Sequence, residues 1–216
     1  MPYIFILVIP LIIAGIVFSI ISAKKRREEL SALAGRLGLS FDPGKDRRMD
    51  NNYKYLNTLR QGSNRYAYNI LSGKYQGHPM QVFDYHYQTG SGKDTHHHYF
   101  SFFIMTIEIS CPELTITKEH IFSKIGQALG FDDIDFESHE FSRQFCVRSK
   151  DKKFAYDVCN GKMIEYLLDN KDMNIEIERN TMALTCRRKL KAEEIEYNIK
   201  RLTRVRSLMP EYLFKN

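Results

Sequence analysis

Three small constellations in this chain carry residue types that do chemistry. Asp135, Glu137 and His139 follow one another at every second position. On an extended backbone that spacing puts all three on one face. Two carboxylates and an imidazole there could hold a divalent metal and activate water. The same residues also make an ordinary polar outer face of an edge strand. Asp84 and His86 share a strand face in the same way, and a carboxylate beside an imidazole suits proton transfer. His86 is therefore a further weak metal candidate. His96, His97 and His98 are consecutive, beside Lys93 and Asp94, and read as a hairpin tip. Adjacent histidines point in different directions on an extended chain, so at most two reach one metal, and dedicated sites orient their ligands with outer partners.

Other signatures are missing. Gly90-Ser91-Gly92-Lys93 lacks the leading glycine and the following helix pattern of a phosphate loop, and no GxSxG, HExxH or EF-hand loop is present. No catalytic residue and no cofactor is assigned. Cys111, Cys146, Cys159 and Cys186 form no CxxC pair, and are expected as free thiols packed as small apolar groups. Thirteen tyrosines and fourteen phenylalanines suit cross-strand packing, and no RNP-like motif appears, so no nucleic-acid partner is expected.

The elements that would position these groups can be read from periodicity. Leu30, Leu33, Ala34 and Leu37 form one helical stripe over 28–37, closed by Gly38. Asp42 to Asn52 is polar with a Pro-Gly turn and reads as a linker. Alternation predicts strands at 66–70 and 81–87, joined by a turn around Gln76-Gly77. Gln88 to Thr95 then reads as a loop. Residues 99–109 are apolar on both faces, which marks a central strand, and a short strand follows at 114–117. Ile121, Phe122, Ile125 and Leu129 predict a helix. Phe141, Phe145 and Val147 predict a strand. Asp151 caps a helix that Asn160-Gly161 interrupts. Residues 173–186 read as a hairpin turning at Asn180, and 195–205 as a last helix stopped by Pro210. The fold class is α+β, with a largely antiparallel sheet packed with three to four helices.

The strongest signal lies at the start. Tyr3 to Ala23 carries no charged residue, and Lys24, Lys25, Arg26 and Arg27 follow at once. About 20 apolar residues match the hydrocarbon thickness a helix must cross. Cytoplasmic flanks hold the excess of Lys and Arg, so the N-terminus is expected outside and the rest in the cytoplasm, at the cell inner membrane. The divisions are a transmembrane anchor at 1–23, a juxtamembrane helix and linker at 24–52, and a cytoplasmic α+β domain at 53–216. Net charge is +6, with basic excess both at 24–48 and at 187–216. Such segments attract anionic lipid, with Lys24, Lys25, Arg26 and Arg27 nearest the surface.

The segments LAGRLGLSF (33–41), NILSGKYQGHPMQVFDYHYQTGSGK (69–93) and KIGQALGFDDIDFESHEFSRQF (124–145), with the closing hairpin and helix, resemble a bacterial family of domains of unknown function. Its members carry the domain behind a single N-terminal transmembrane helix. The resemblance implies that layout, and it carries over no assigned activity and no catalytic residues. The expectation is a single-pass, membrane-anchored, non-enzymatic adaptor or scaffold. Its partners would be the bilayer, anionic lipid and a protein not named by the sequence, and the oligomeric state is open. The alternative is a metal-dependent hydrolase using Asp135, Glu137 and His139.

Overall fold

The computed structural model describes residues 3–118 and 133–215, with residues 3–9 and 11 described by backbone alone. The chain is α+β, with a six-stranded antiparallel sheet and several helices. Helix α1 runs unbroken from Tyr3 to Leu37, through Pro10. It ends where Gly38 takes the left-handed conformation, φ +68°. Among the described residues no helix is long and apolar enough to cross a membrane. Of the span expected over Tyr3–Ala23, residues 3–9 and 11 are described by backbone alone. Within the described part, Ile12, Ile13, Ile16, Val17, Ile20 and Ile21 are exposed and Phe18 is 74% exposed.

The sheet begins with β1 (Leu39–Asp46), β2 (Ser63–Tyr75) and β3 (His78–Thr89) as an antiparallel meander. Strand β4 (His96–Lys118) is the spine. One of its edges takes β3 along 96–105 and then β5 (Phe145–Ser149) along 114–118. The other edge takes β6 (Ile175–Cys186), from Ser101 to Ile116. The apolar run from Phe102 to Met105 fits this place, since a strand paired on both edges and covered on both faces has no wet side.

Two cores lie on the two faces. One joins Leu30, Leu33 and Ala34 of α1 to Val82, Phe103 and Met105 of the sheet. It also holds buried residues of α4 (Lys152–Val158), α5 (Gly161–Asp169) and α6 (Ala192–Leu208). Each fully buried Leu there contributes roughly 1.5–3 kcal/mol. The other core is smaller. Leu56 and Leu59 pack there on Phe83, Tyr85, Phe100 and Phe102. The helix starts obey local chemistry. Asp151 accepts the Phe154 N–H at 3.0 Å, and Asn160 accepts those of Lys162 and Met163 at 3.1 and 3.2 Å.

Four sequence expectations change. The proposed linker at 42–52 is instead the end of an edge strand and a short helix, α2 (Met49–Asn52). Its Pro-Gly pair sits at a shift in register between Asp42 and Lys45. Phe141 belongs to helix α3 (His139–Gln144), because Ser138 caps it by accepting the Phe141 N–H at 3.3 Å. Residues 175–186 are one strand, not a hairpin. Arg179, at φ +55°, bends it where β4 also bends, so both halves pair with β4 and not with each other. The short strand at 114–117 is the far end of β4. The helix expected over 121–129 lies outside the described residues.

Candidate binding surface at the polar end of the sheet

Alternation along β3 sorts its side chains. Phe83, Tyr85 and Tyr87 face the smaller core, and Val82, Asp84 and His86 face the α1 side. The polar pair therefore falls under α1, and Asp84 is only 2% exposed. A carboxylate so buried needs partners. Arg26 Nη2 lies 2.9 Å from both oxygens and Nε lies 3.2 Å from Oδ2. Asn69 Nδ2 donates at 2.9 Å and the Ser101 hydroxyl at 3.2 Å. Arg26 also donates to the Leu190 carbonyl, and the Leu190 N–H donates to Ser101 at 3.1 Å. One base of the Lys24–Arg27 cluster is thus turned inward, clamping α1 to β3 and to the chain beyond β6.

His86 stands two residues along and does not share a hydrogen bond with Asp84. Its ring stacks on Tyr66 with centroids 4.6 Å apart. Nδ1 lies 3.2 Å from the Asn64 carbonyl, and Nε2 lies 2.9 Å from His97 Nδ1. Burial lowers the His86 pKa, with the nearby His97, Lys45 and Lys189 acting the same way. His98 lies on the opposite face, 2.8 Å from the Thr89 hydroxyl and stacked on Tyr87. The three consecutive histidines therefore divide between two faces.

Asp135 and Glu137 are exposed in an irregular segment, and His139 opens α3, so the even spacing does not become one strand face. Among the described residues, no group of three or more His, Cys, Asp or Glu is placed to hold a metal ion. Among the described residues no disulfide joins the four cysteines. Burial pushes the thiols of Cys111 and Cys186 up to about 11 and that of Cys159 to about 12, which suits inert packing groups.

What the fold does assemble is a cleft of about 1320 Å³ beside β4. Strand β6 leaves β4 at Ser101, so among the described residues no strand pairs with 96–100 on that edge. Tyr99 and Phe100 line the cleft with Tyr87, His97 and His98. Arg187, Arg188 and Lys189 flank it, and Arg60 closes it from the segment over the smaller core. Among the described residues that line it, none is a carboxylate. Glu194 engages Arg188 from outside, with Nη1 to Oε2 at 3.0 Å. Desolvation by surrounding protein lowers the pKa of Arg187 and Lys189, a cost that a bound anion would offset. Lys189 Nζ lies 4.3 Å from the Tyr99 ring centroid.

The Arg60 wall is held by buried polar contacts. Tyr85 donates to the Leu59 carbonyl at 2.6 Å and Tyr87 to Gln61 Oε1 at 2.7 Å. Glu176, 7% exposed, accepts the Asn57 N–H at 2.7 Å and the Thr58 hydroxyl. Sequence reading missed this cleft. Its one visible signal was the Arg187-Arg188-Lys189 run straight after an alternating strand.

No family model and no curated protein sequence matches the chain. In fold it is similar to the mycobacterial trehalose monomycolate transport factor A, TtfA, known from a crystal structure. The match has a TM-score of 0.63 at 10% identity and covers 87% of this chain and 96% of that one. At that identity the likeness concerns the fold alone.

Proposed function

We propose that this chain is a single-pass, membrane-anchored protein whose cytoplasmic domain acts as a non-enzymatic adaptor. In this reading the cleft beside β4 receives an acidic, extended segment of a protein partner. The observation that carries it is a lining of cations and aromatics with no carboxylate among the described residues, beside the stretch of β4 that β6 has left at Ser101. An added strand gains main-chain hydrogen bonds from such an edge, and the bases select acidic side chains. Tyr and Arg are also the side chains that most often dominate interface energies.

The anchor rests on the uncharged run from Tyr3 to Ala23 and on the large apolar side chains exposed between Ile12 and Ile21. The bases that follow favour a cytoplasmic domain. The structural neighbour is named as a transport factor, which accords with binding in place of catalysis.

Amine-reactive crosslinking in native membranes, read by mass spectrometry, tests the proposal. Wild-type protein is expected to give a partner crosslink at Lys189 that disappears in Arg60→Glu/Arg187→Glu. An unchanged crosslink map in that variant would refute the cleft as the partner site. Protease accessibility of residues 24–216 from the outer side would refute the orientation.

A further inference from the structure

We propose that the notch between α1 and β2 binds the phosphate of an anionic membrane lipid whose headgroup also carries a hydroxyl. The notch is a second cavity, of about 430 Å³, which shares Lys189 with the cleft beside β4. Its walls include Phe18, Ser22 and Arg27 of α1, Tyr68 and Asn69 of β2, and Lys189. The inference rests on the membrane-anchored reading and adds a ligand to it.

Two polar atoms at this notch, the Tyr68 hydroxyl and Asn69 Oδ1, are buried with no hydrogen-bond partner among the described residues. Buried polar groups are nearly always satisfied, so each requires an explanation. They differ in kind. Tyr68 offers an O–H donor, whereas Asn69 Oδ1 is a carbonyl oxygen and accepts, its Nδ2 donating to Asp84. A ligand that satisfies both brings an acceptor and a donor, as a phosphate ester with a hydroxyl does. Lys189 Nζ stands 5.4 Å from the Tyr68 ring centroid, and Arg26 and Arg27 add positive charge. Asp84, the nearby carboxylate, is already held by Arg26, Asn69 and Ser101. The local balance therefore favours an anion.

Position argues for lipid as its source. The exposed apolar stretch of α1 runs down to Ile20 and Ile21, and Phe18, the most exposed of these side chains, is itself a wall of the notch. Acyl chains beside those residues would place a headgroup level with Ser22, about one helical turn beyond Phe18, with Arg27 further along the helix.

The full-length protein in neutral detergent micelles is titrated with dioctanoyl phosphatidylglycerol, dioctanoyl phosphatidylcholine or inorganic phosphate while its melting temperature is followed. Phosphatidylglycerol is expected to give a saturable rise, and phosphatidylcholine a much weaker one. Tyr68→Phe, which keeps the ring and removes the donor, and Lys189→Gln are each expected to weaken the apparent affinity about tenfold, the equivalent of about 1.4 kcal/mol. Affinity unchanged in both variants overturns the site. Equal affinity for inorganic phosphate overturns the lipid assignment. Retention in carbonate-washed membranes tests the anchor separately. Retention without phosphatidylglycerol binding overturns the notch and leaves the anchor standing, and binding without retention does the reverse.

Discussion

Arg26 and Asp84, separated by 58 positions in sequence, form a forked ion pair in which one guanidinium nitrogen lies 2.9 Å from both carboxylate oxygens. The arginine is partly exposed, at 21%, while the aspartate is 2% exposed. Removing one member of a buried pair leaves an uncompensated charge, whereas replacing both with apolar groups does not. Arg26→Ala is expected to cost about 3 kcal/mol of unfolding free energy. Arg26→Met/Asp84→Leu should recover most of it. Urea unfolding of the full chain in detergent checks this. Equal losses in the single and double variants would show that the pair is not coupled.

Glu176 offers a test with the opposite sign from most acidic residues. Burial raises its pKa, against the hydrogen bonds from Thr58 and Asn57 that lower it. Its contribution to stability is therefore complete below the unfolded carboxyl value of about 4.3 and is lost as pH rises through the higher folded value. Glu176→Gln keeps an acceptor for the 57–58 segment and removes the charge. At pH 8 the variant should be more stable than wild type, on the order of 1 kcal/mol. At pH 4 the difference should vanish. A variant less stable than wild type at pH 8 would contradict this account.

His86 responds in the other direction. Its lowered pKa means that the fold prefers the neutral ring, with desolvation as the leading cause. The corresponding stability is complete above the unfolded value of about 6.5 and falls away as pH drops through the folded value. His86→Phe retains an aromatic surface for Tyr66. It is expected to flatten the decline in melting temperature between pH 7 and pH 5, and an unaltered slope would place the titrating group elsewhere.

Two glycines separate backbone strain from steric collision. Gly62 has φ +61°, and a Cβ there would lie 2.1 Å from the Gln88 carbonyl oxygen. Gly77 has φ +88° and open space around it. Gly77→Ala should cost about 1 kcal/mol, from the left-handed backbone alone. Gly62→Ala should cost clearly more, because the Arg60 wall must lift away from β3. Melting temperatures of the two variants rank them, and the reverse order would count against the tight seating of that wall.

Periodicity made much of the fold legible. The β2–β3 turn, the two-sided strand β4, the break at Asn160-Gly161 and the close of α6 before Pro210 all follow from local pattern. The failures share a cause. Pro43-Gly44 and the region around Asn180 carry turn signals, yet the structure uses them as irregularities inside strands. Local chemistry specifies a bend, and the pairing partner decides whether the bend becomes a hairpin. The candidate surfaces were harder still to read. Arg60, Arg187 and Tyr99 are far apart in sequence, and the end of β6 that opens the cleft is a property of register. Arg26 could not be told from its neighbours, because only the position of Asp84 beneath α1 distinguishes it.

The unbroken course of α1 has a mechanical consequence. A helix without a hinge transmits rotation, so the apolar stretch around Phe18 and the clamp at Arg26 keep a fixed angular phase. Each added residue turns one against the other by about 100°. Inserting one alanine after Ala23 would swing the apolar side chains away from the orientation that Asp84 imposes. Inserting four would bring them back to within about 40°. The domain is thus held at a set bearing, as a vane is fixed to its shaft, and its open cleft faces one direction only.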